Sequence, residues 1–245
     1  MPVHPAKIWG GRGKPIITTP QAQGWNLVFN DEFDGATLDR TKWVDTFFTR
    51  RYGQPDELQY FAPDAFVFDH GILKIRADTR NLGGRLYTSG VISSDTHFEF
   101  QYGLIEGRMK VPRGQGFWTA FWLGNYFDYH NPEEIDTVEV LGNSTDTARF
   151  HVHYPTAPNS DGQNFVGADL ANDFHIFSVE WQANYIRWYL DGVQRFEVTT
   201  YNHIPHVPLF IMLNLSVGGS YPGAPDPTTP FPSYLEIDYV RVYQR

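Results

Sequence analysis

Apolar and polar residues alternate along much of this chain, and this alternation limits the folds that the chain can adopt. From Trp25 onward, short runs alternate apolar and polar residues and end at Gly, Pro, Asp or Asn, as in residues 71–77. Asp191-Gly192 stands between two such runs, Tyr185–Leu190 and Val193–Val198, which is a strong β-hairpin signal. Helices have little room between these runs, so the sequence predicts an all-β fold.

Length and composition limit the number of domains and the classes of partner that this chain can have. The 245 residues suit a single all-β domain, for which we predict residues 25–245, preceded by an extended Gly- and Pro-rich arm over residues 1–24. Cysteine is absent, so disulfides and thiol chemistry are excluded. A net charge of -9 disfavours nucleic acid and anionic membrane surfaces as partners. An aromatic content of 16% fits stacking on the rings of a neutral saccharide.

We expect a secreted monomer. No apolar run reaches the length that spans a membrane, and the start Met1-Pro2-Val3-His4 lacks a charged segment followed by an apolar one. A secreted protein whose signal has been removed would have such a sequence, so extracellular localisation stays an expectation.

Three carboxylates are concentrated in the run Glu134-Ile135-Asp136-Thr137-Val138-Glu139. On a regular strand, Glu134 and Asp136 share a face and Glu139 points the other way. A β-bulge at Thr137 or Val138 would return Glu139 to the face of the other two. Because like charges raise one another's pKa, a purely structural strand rarely carries such a group. Glycoside hydrolysis with retention needs two carboxyls about 5–5.5 Å apart. An edge strand with solvated acids is the alternative.

Other polar and aromatic residues are candidates for the same site. Glu106, Arg108 and Lys110 share one face of a predicted strand, which is either a solvated exterior or a cleft wall. Trp118 and Trp122 share a face as well, and either ring can stack on a sugar or belong to the core. His151 and His153 could ligate zinc beside the carboxylates, although polar residues on a strand more often hydrogen-bond a ligand or solvent.

These residues carry a resemblance to a known family. From Trp25 to Tyr243 the chain resembles the family 16 glycoside hydrolases, in particular their laminarinase-like β-glucanase branch, whose motif is Glu-x-Asp-x-x-Glu on a bulged strand. The segments that carry the resemblance, in the same order, are residues 25–35, 57–60, 102–108, 116–122, 134–139 and 212–219. It implies a concanavalin-like β-jelly-roll sandwich of two antiparallel sheets with a concave substrate cleft.

The resemblance also implies roles for individual residues. Glu134 would be the nucleophile, Glu139 the proton donor and later base, and Asp136 a partner that hydrogen-bonds Glu134. The positions that would bind substrate are Glu106, Arg108, Trp118, Trp122, His151, His153 and Asn214. No cofactor is implied for catalysis, but Glu32, the backbone of Gly71 and Asp238 would border a structural calcium site.

The sequence therefore predicts a retaining endo-hydrolase of β-1,3-glucan, tolerant of mixed β-1,3-1,4-glucan, with a polysaccharide as its partner. Three alternatives stay open. A galactan hydrolase of the agarase or carrageenase type shares the bulged motif. A transglycosylase differs only in whether sugar or water resolves the glycosyl-enzyme. A non-catalytic glucan-binding module is the third, and it gives no reason to keep all three carboxylates.

Overall fold

The computed structural model describes residues 23–125, 133–156 and 159–245. Nearly all of the predicted arm, residues 1–22, lies outside these ranges. From Trp25, whose ring is buried beneath the guanidinium of Arg245, the described chain belongs to one sandwich. Among the described residues, no helix has the length and apolar character needed to cross a membrane.

The predicted all-β jelly-roll sandwich is confirmed, with two antiparallel sheets packed face to face. The outer sheet consists, in spatial order, of β15 (Val193–Val198), β14 (Tyr185–Leu190), β13 (His175–Gln182), β8 (Gly103–Lys110), β17 (Ser233–Gln244), β4 (Ile72–Ala77) and β3 (Phe66–Asp69), with β1 (Asn26–Asp31) also paired to β17. The cleft sheet consists of β12 (Ser160–Val166), β11 (Thr147–His153), β10 (Glu134–Leu141), β9 (Phe117–Gly124), β16 (Leu209–Val217) and β6 (Val91–Ser93), with β7 (Glu99–Phe100) also paired to β16.

Two smaller elements complete the described structure. A parallel pair is formed by β2 (Gln59–Phe61) and β5 (Tyr87–Ser89), and a 3-10 turn covers Tyr201–His203.

The core fills the space between the two sheets. On β4, Leu73, Ile75 and Ala77 are fully buried, whereas Lys74 and Arg76 face outward, as the alternation predicts. Trp181 and Trp188 enter the same core from the outer sheet. Each fully buried large apolar side chain stabilises the fold by about 1.5–3 kcal/mol.

The predicted hairpin is present. Leu190 pairs with Val193 across the turn, and Asp191 and Gly192 have φ values of 50° and 74°. A two-residue turn with both central φ values positive matches the twist of the flanking strands, and the Asp-Gly pair suits this conformation.

The Pro-rich segment 221–227 forms a loop between β16 and β17. Gln115 fixes the loop, because its Nε2 donates to the carbonyl oxygens of Pro222 at 2.8 Å and Ala224 at 3.2 Å. The loop thereby places Tyr221 beside Trp118, with ring centroids 5.0 Å apart.

Candidate active site

The carboxylate strand β10 contains the predicted bulge. Asp136 pairs with Trp122 of β9 and Val138 with the next residue, Phe121, so Thr137 is the extra residue. Pairing to β11 shifts in the same place, between Asp136 and Glu139. Ile135 and Val138 are fully buried in the core, and all three carboxylates line the cleft on the other side of the sheet.

The outer sheet holds the bulge in place. The indole Nε1 of Trp188, on β14, donates to the backbone carbonyl oxygen of Asp136 at 2.8 Å. A bulge disrupts the ladder of backbone hydrogen bonds, and a buried carbonyl without a donor is costly. The geometry of the carboxylates therefore depends on a side chain from the opposite sheet.

The cleft has a volume of about 810 Å³ and lies across the cleft sheet. Five acidic residues line it, namely Glu57, Glu133, Glu134, Asp136 and Glu139. Arg50 is the one Lys or Arg among the described lining residues. The described lining thus offers little positive charge, which disfavours polyanionic ligands.

Neighbouring donors hold the carboxylates on β10. His153 Nε2 lies 3.2 Å from Asp136 Oδ2 and 3.8 Å from Glu134 Oε1. Glu139 has a partner on each oxygen: Trp118 Nε1 donates to Oε1 at 2.9 Å, and His151 Nδ1 lies 2.8 Å from Oε2. The two histidines thus bridge β11 to the acids of β10.

Burial and mutual repulsion set the protonation of the first two carboxylates. Burial, followed by the charge of Asp136, raises the pKa of Glu134 well above its ordinary value. Burial and the charge of Glu139 likewise raise the pKa of Asp136 well above its ordinary value. Oxygens of Glu134 and Asp136 lie within 4.8 Å of each other, and with both pKa values raised the two neighbouring carboxyls share one proton.

A hydrogen-bonded chain continues from the cleft into the protein. Trp122 Nε1 donates to Asn214 Oδ1 at 3.0 Å, Asn214 Nδ2 donates to Ser216 Oγ at 3.1 Å, and Ser216 donates to Glu57 Oε2 at 3.0 Å. Gln59 donates to the same carboxylate. Burial raises the pKa of Glu57. The predicted residues Trp122 and Asn214 therefore form part of the cleft, fixed by Glu57 behind them.

Sequence reasoning missed several cleft residues. Glu57 and Tyr221 line the cleft, as do Phe47, Phe48 and Arg50 of an irregular segment. Glu57 could have been found, because it lies in the segment 57–60 that carries the resemblance. The irregular segment has no periodic pattern of apolar residues. Phe48 has a left-handed φ of 53°, which is uncommon for phenylalanine and is not predicted by its residue type.

The prediction that Glu106 and Arg108 bind substrate is wrong. Both are on β8 of the outer sheet and point away from the core, because Ile105, Gly107 and Met109 take the inner face. Arg108 donates to Asp238 at 2.7 Å, and Arg241 lies 3.8 Å from Glu106. Alternation correctly placed the two residues on one face, but it does not reveal to which sheet a strand belongs.

The two carboxylates predicted to border calcium, Glu32 and Asp238, each have an arginine as partner. Arg241 forms a bidentate ion pair with Glu32, with distances of 2.9 and 2.7 Å. Asp238 is the partner of Arg108, as described above. Gly71 lies between β3 and β4 with a φ of 75°. Since a guanidinium already neutralises each carboxylate, these residues do not fit a calcium ion.

Within the described residues, two groups of side chains could hold a cation, and both are in the cleft. Glu134, Asp136 and His153 form one group, and Asp136, Glu139 and His151 the other, with ligand atoms within 4.8 Å of one another in each. A nitrogen and two oxygens suit zinc or copper. A cation held by either group would bind the carboxylates that β10 presents to the cleft.

The sequence of this chain is similar to those of known glycoside hydrolases. Residues 58–241 match the family model of the glycosyl hydrolases family 16. A β-glucanase of Rhodothermus marinus is 31% identical over 91% of this chain and 87% of its own length. A glucan endo-1,3-β-glucosidase A1 of Niallia circulans is 31% identical over 93% of this chain, which spans 39% of that relative's length.

Solved structures show the same likeness. The laminarinase catalytic domain of Thermotoga maritima superposes with a TM-score of 0.82 at 32% identity, covering 90% of this chain and 98% of that domain. The match to the family model, over residues 58–241, includes the bulged strand β10.

Proposed function

The chain belongs to family 16 of the glycosyl hydrolases, and from that premise we propose that it is a retaining endo-hydrolase of β-1,3-glucan that also accepts mixed β-1,3-1,4-glucan. The observation that carries the proposal is the bulged strand β10, which presents Glu134, Asp136 and Glu139 to one open cleft. Relatives named as glucanases and laminarinases support the substrate class.

In the proposed first step, a carboxylate oxygen of Glu134 attacks the anomeric carbon while the bond to the leaving oxygen breaks. Glu139 gives its proton to that oxygen, and the product is a glycosyl-enzyme. Asp136 supports this step, because a proton shared between Asp136 and Glu134 can pass to Asp136 as Glu134 attacks.

In the second step, Glu139 takes a proton from water, and the water oxygen attacks the same carbon and releases Glu134. Two displacements at one carbon restore its configuration. No cofactor takes part.

The cleft lining supports a neutral glucan over a sulfated galactan. Arg50 is the one Lys or Arg in the described lining, so the cleft lacks the positive charge that binding of a sulfated polymer requires. Trp118 is half-buried and provides aromatic surface on which a sugar ring can stack, whereas Trp122 is only 7% exposed and packs against Phe47 in a buried cluster.

Product release from laminarin, barley β-glucan, agarose and κ-carrageenan tests this proposal, with Glu134→Ser as the variant. Hydrolysis of laminarin by the parent alone supports it. Hydrolysis of the galactans alone, or equal activity in the variant, contradicts it.

We also propose that the protein acts outside the cell, since its polymeric substrate is too large to cross a membrane. We propose further that it is a monomer. Detection in the culture medium and the mass in solution test these two points. We propose that Glu32 and Asp238 bind no structural calcium ion, because both are paired with arginines. An unchanged Tm on adding calcium or a chelator is expected.

A further inference from the structure

The carboxyl group of Glu139 is held by a hydrogen-bond partner on each oxygen. Trp118 donates to Oε1, and His151 Nδ1 lies at 2.8 Å from Oε2. Because each carboxyl oxygen has two lone-pair sites, one contact on each oxygen leaves a position free for the transferable proton. The two contacts fix the plane of the carboxyl group, and only the histidine comes from β11.

The path from His151 to Glu139 is diagonal across the two strands. In the strand register His151 stands opposite Asp136, and Glu139 stands opposite Arg149. The ring of His151 nevertheless contacts Glu139, beyond the bulge. The imidazole can take this position only if there is space for the ring on the side of the neighbouring strand β12.

Gly162 on β12 provides that space. It pairs with His151 in the register, and a Cβ atom at Gly162 would lie 2.1 Å from Cδ2 and 2.7 Å from Nε2 of the imidazole. No left-handed φ requires glycine at this position, since Gly162 is absent from the residues of positive φ in the described chain. The glycine is therefore explained by the space that the imidazole ring occupies.

We infer that His151 is a positioning residue for the general acid, that it donates Nδ1–H to Glu139 Oε2, and that Gly162 is required to seat its ring. The inference rests on the proposed function, in which Glu139 protonates the leaving oxygen. As the proton leaves, negative charge develops on the carboxyl group, and both N–H donors stabilise it. The hydrogen bond is then stronger in the transition state than in the resting enzyme.

The test compares two substrates that differ in their need for a proton. The glucosyl leaving group of laminarin needs protonation, whereas dinitrophenolate leaves 2,4-dinitrophenyl β-laminaribioside without it. For His151→Ala we expect kcat/KM on laminarin to fall roughly 10- to 100-fold, a part of what general acid catalysis contributes. On the aryl glycoside, kcat/KM should stay within about threefold of the parent. His151→Asn, whose amide can donate, should recover part of the loss.

Gly162→Ala tests the same inference from the neighbouring strand. The added methyl group must displace the ring, so we expect the same loss on laminarin and the same sparing of the aryl glycoside. In the double variant with His151→Ala, the second substitution should add no further loss. Asn164→Ala, at an exposed position on β12, is the matched control and should change neither rate.

Equal losses on both substrates, or additive losses in the double variant, would overturn the inference. If the parent cuts neither substrate, the proposed function fails, and the imidazole ¹⁵N resonances decide the inference separately. The contact predicts that Glu139→Gln and Gly162→Ala each shift the Nδ1 resonance of His151, and that Asn164→Ala does not. An unshifted resonance in the first two variants contradicts the inference.

Discussion

Trp188→Phe should uncouple the catalytic bulge from the outer sheet. The substitution keeps an aromatic ring in the core but removes the Nε1–H that donates to the Asp136 carbonyl at 2.8 Å. Trp188 is fully buried, so water cannot replace the lost donor.

The size of the effect follows from two contributions. A buried acceptor left without a donor costs about 1–3 kcal/mol. The void left by the smaller ring adds about 1 kcal/mol. Together the free energy of unfolding should fall by about 2–4 kcal/mol, and Tm by about 4–16 °C for a protein of this size.

Trp181→Phe is the matched control. Trp181 is equally buried, and its Nε1 donates to the Pro205 carbonyl at 3.0 Å, away from the bulge. Urea unfolding should show similar losses of stability in the two variants. Assays on laminarin well below both Tm values should show a reduced kcat in Trp188→Phe alone. The reasoning is refuted if Trp188→Phe keeps full activity, or if both variants lose activity equally.

Three further predictions concern Asp136, the groups that could hold a cation, and the two outer-sheet residues Glu106 and Arg108. In Asp136→Asn, loss of the neighbouring charge should lower the pKa of Glu134. Because the nucleophile must be ionised, the acid limb of the plot of kcat/KM against pH should then move to lower pH. An acid limb that does not move would contradict the coupling of the two carboxyls. Zn²⁺ should inhibit competitively with laminarin, and His153→Ala should weaken the inhibition at least about tenfold; unchanged inhibition would exclude this group as the metal ligands. Glu106→Gln and Arg108→Ala should leave KM for laminarin within about twofold, since both face away from the cleft; a tenfold rise would return them to the site.

The sequence predicted local structure well. Period-two alternation identified β4, and the Asp191-Gly192 pair identified the turn between β14 and β15. The spacing of the three acids indicated a bulge at Thr137 or Val138, and in the structure it is at Thr137. Each of these features is determined by residues a few positions apart, which is why a single sequence reveals them.

The assignment of strands to sheets could not be read in the same way. Glu106 and Arg108 show the alternation of a cleft strand, yet β8 pairs with β13 and β17, which are distant in the chain. The same holds for the hydrogen bond from Trp188 to Asp136, which joins residues 52 positions apart. Contacts between sheets depend on packing of the whole chain, and no local pattern encodes them.

The proposed reaction is a double displacement at the anomeric carbon in which Glu134 is the nucleophile. Its most direct test is ¹H NMR of laminarin hydrolysis during the first minutes, before the anomers of the product equilibrate. We expect new reducing ends to appear first as the β-anomer and Glu134→Ser to produce none. Initial release of the α-anomer would contradict retention, and β-anomer release by Glu134→Ser would contradict the assignment of the nucleophile.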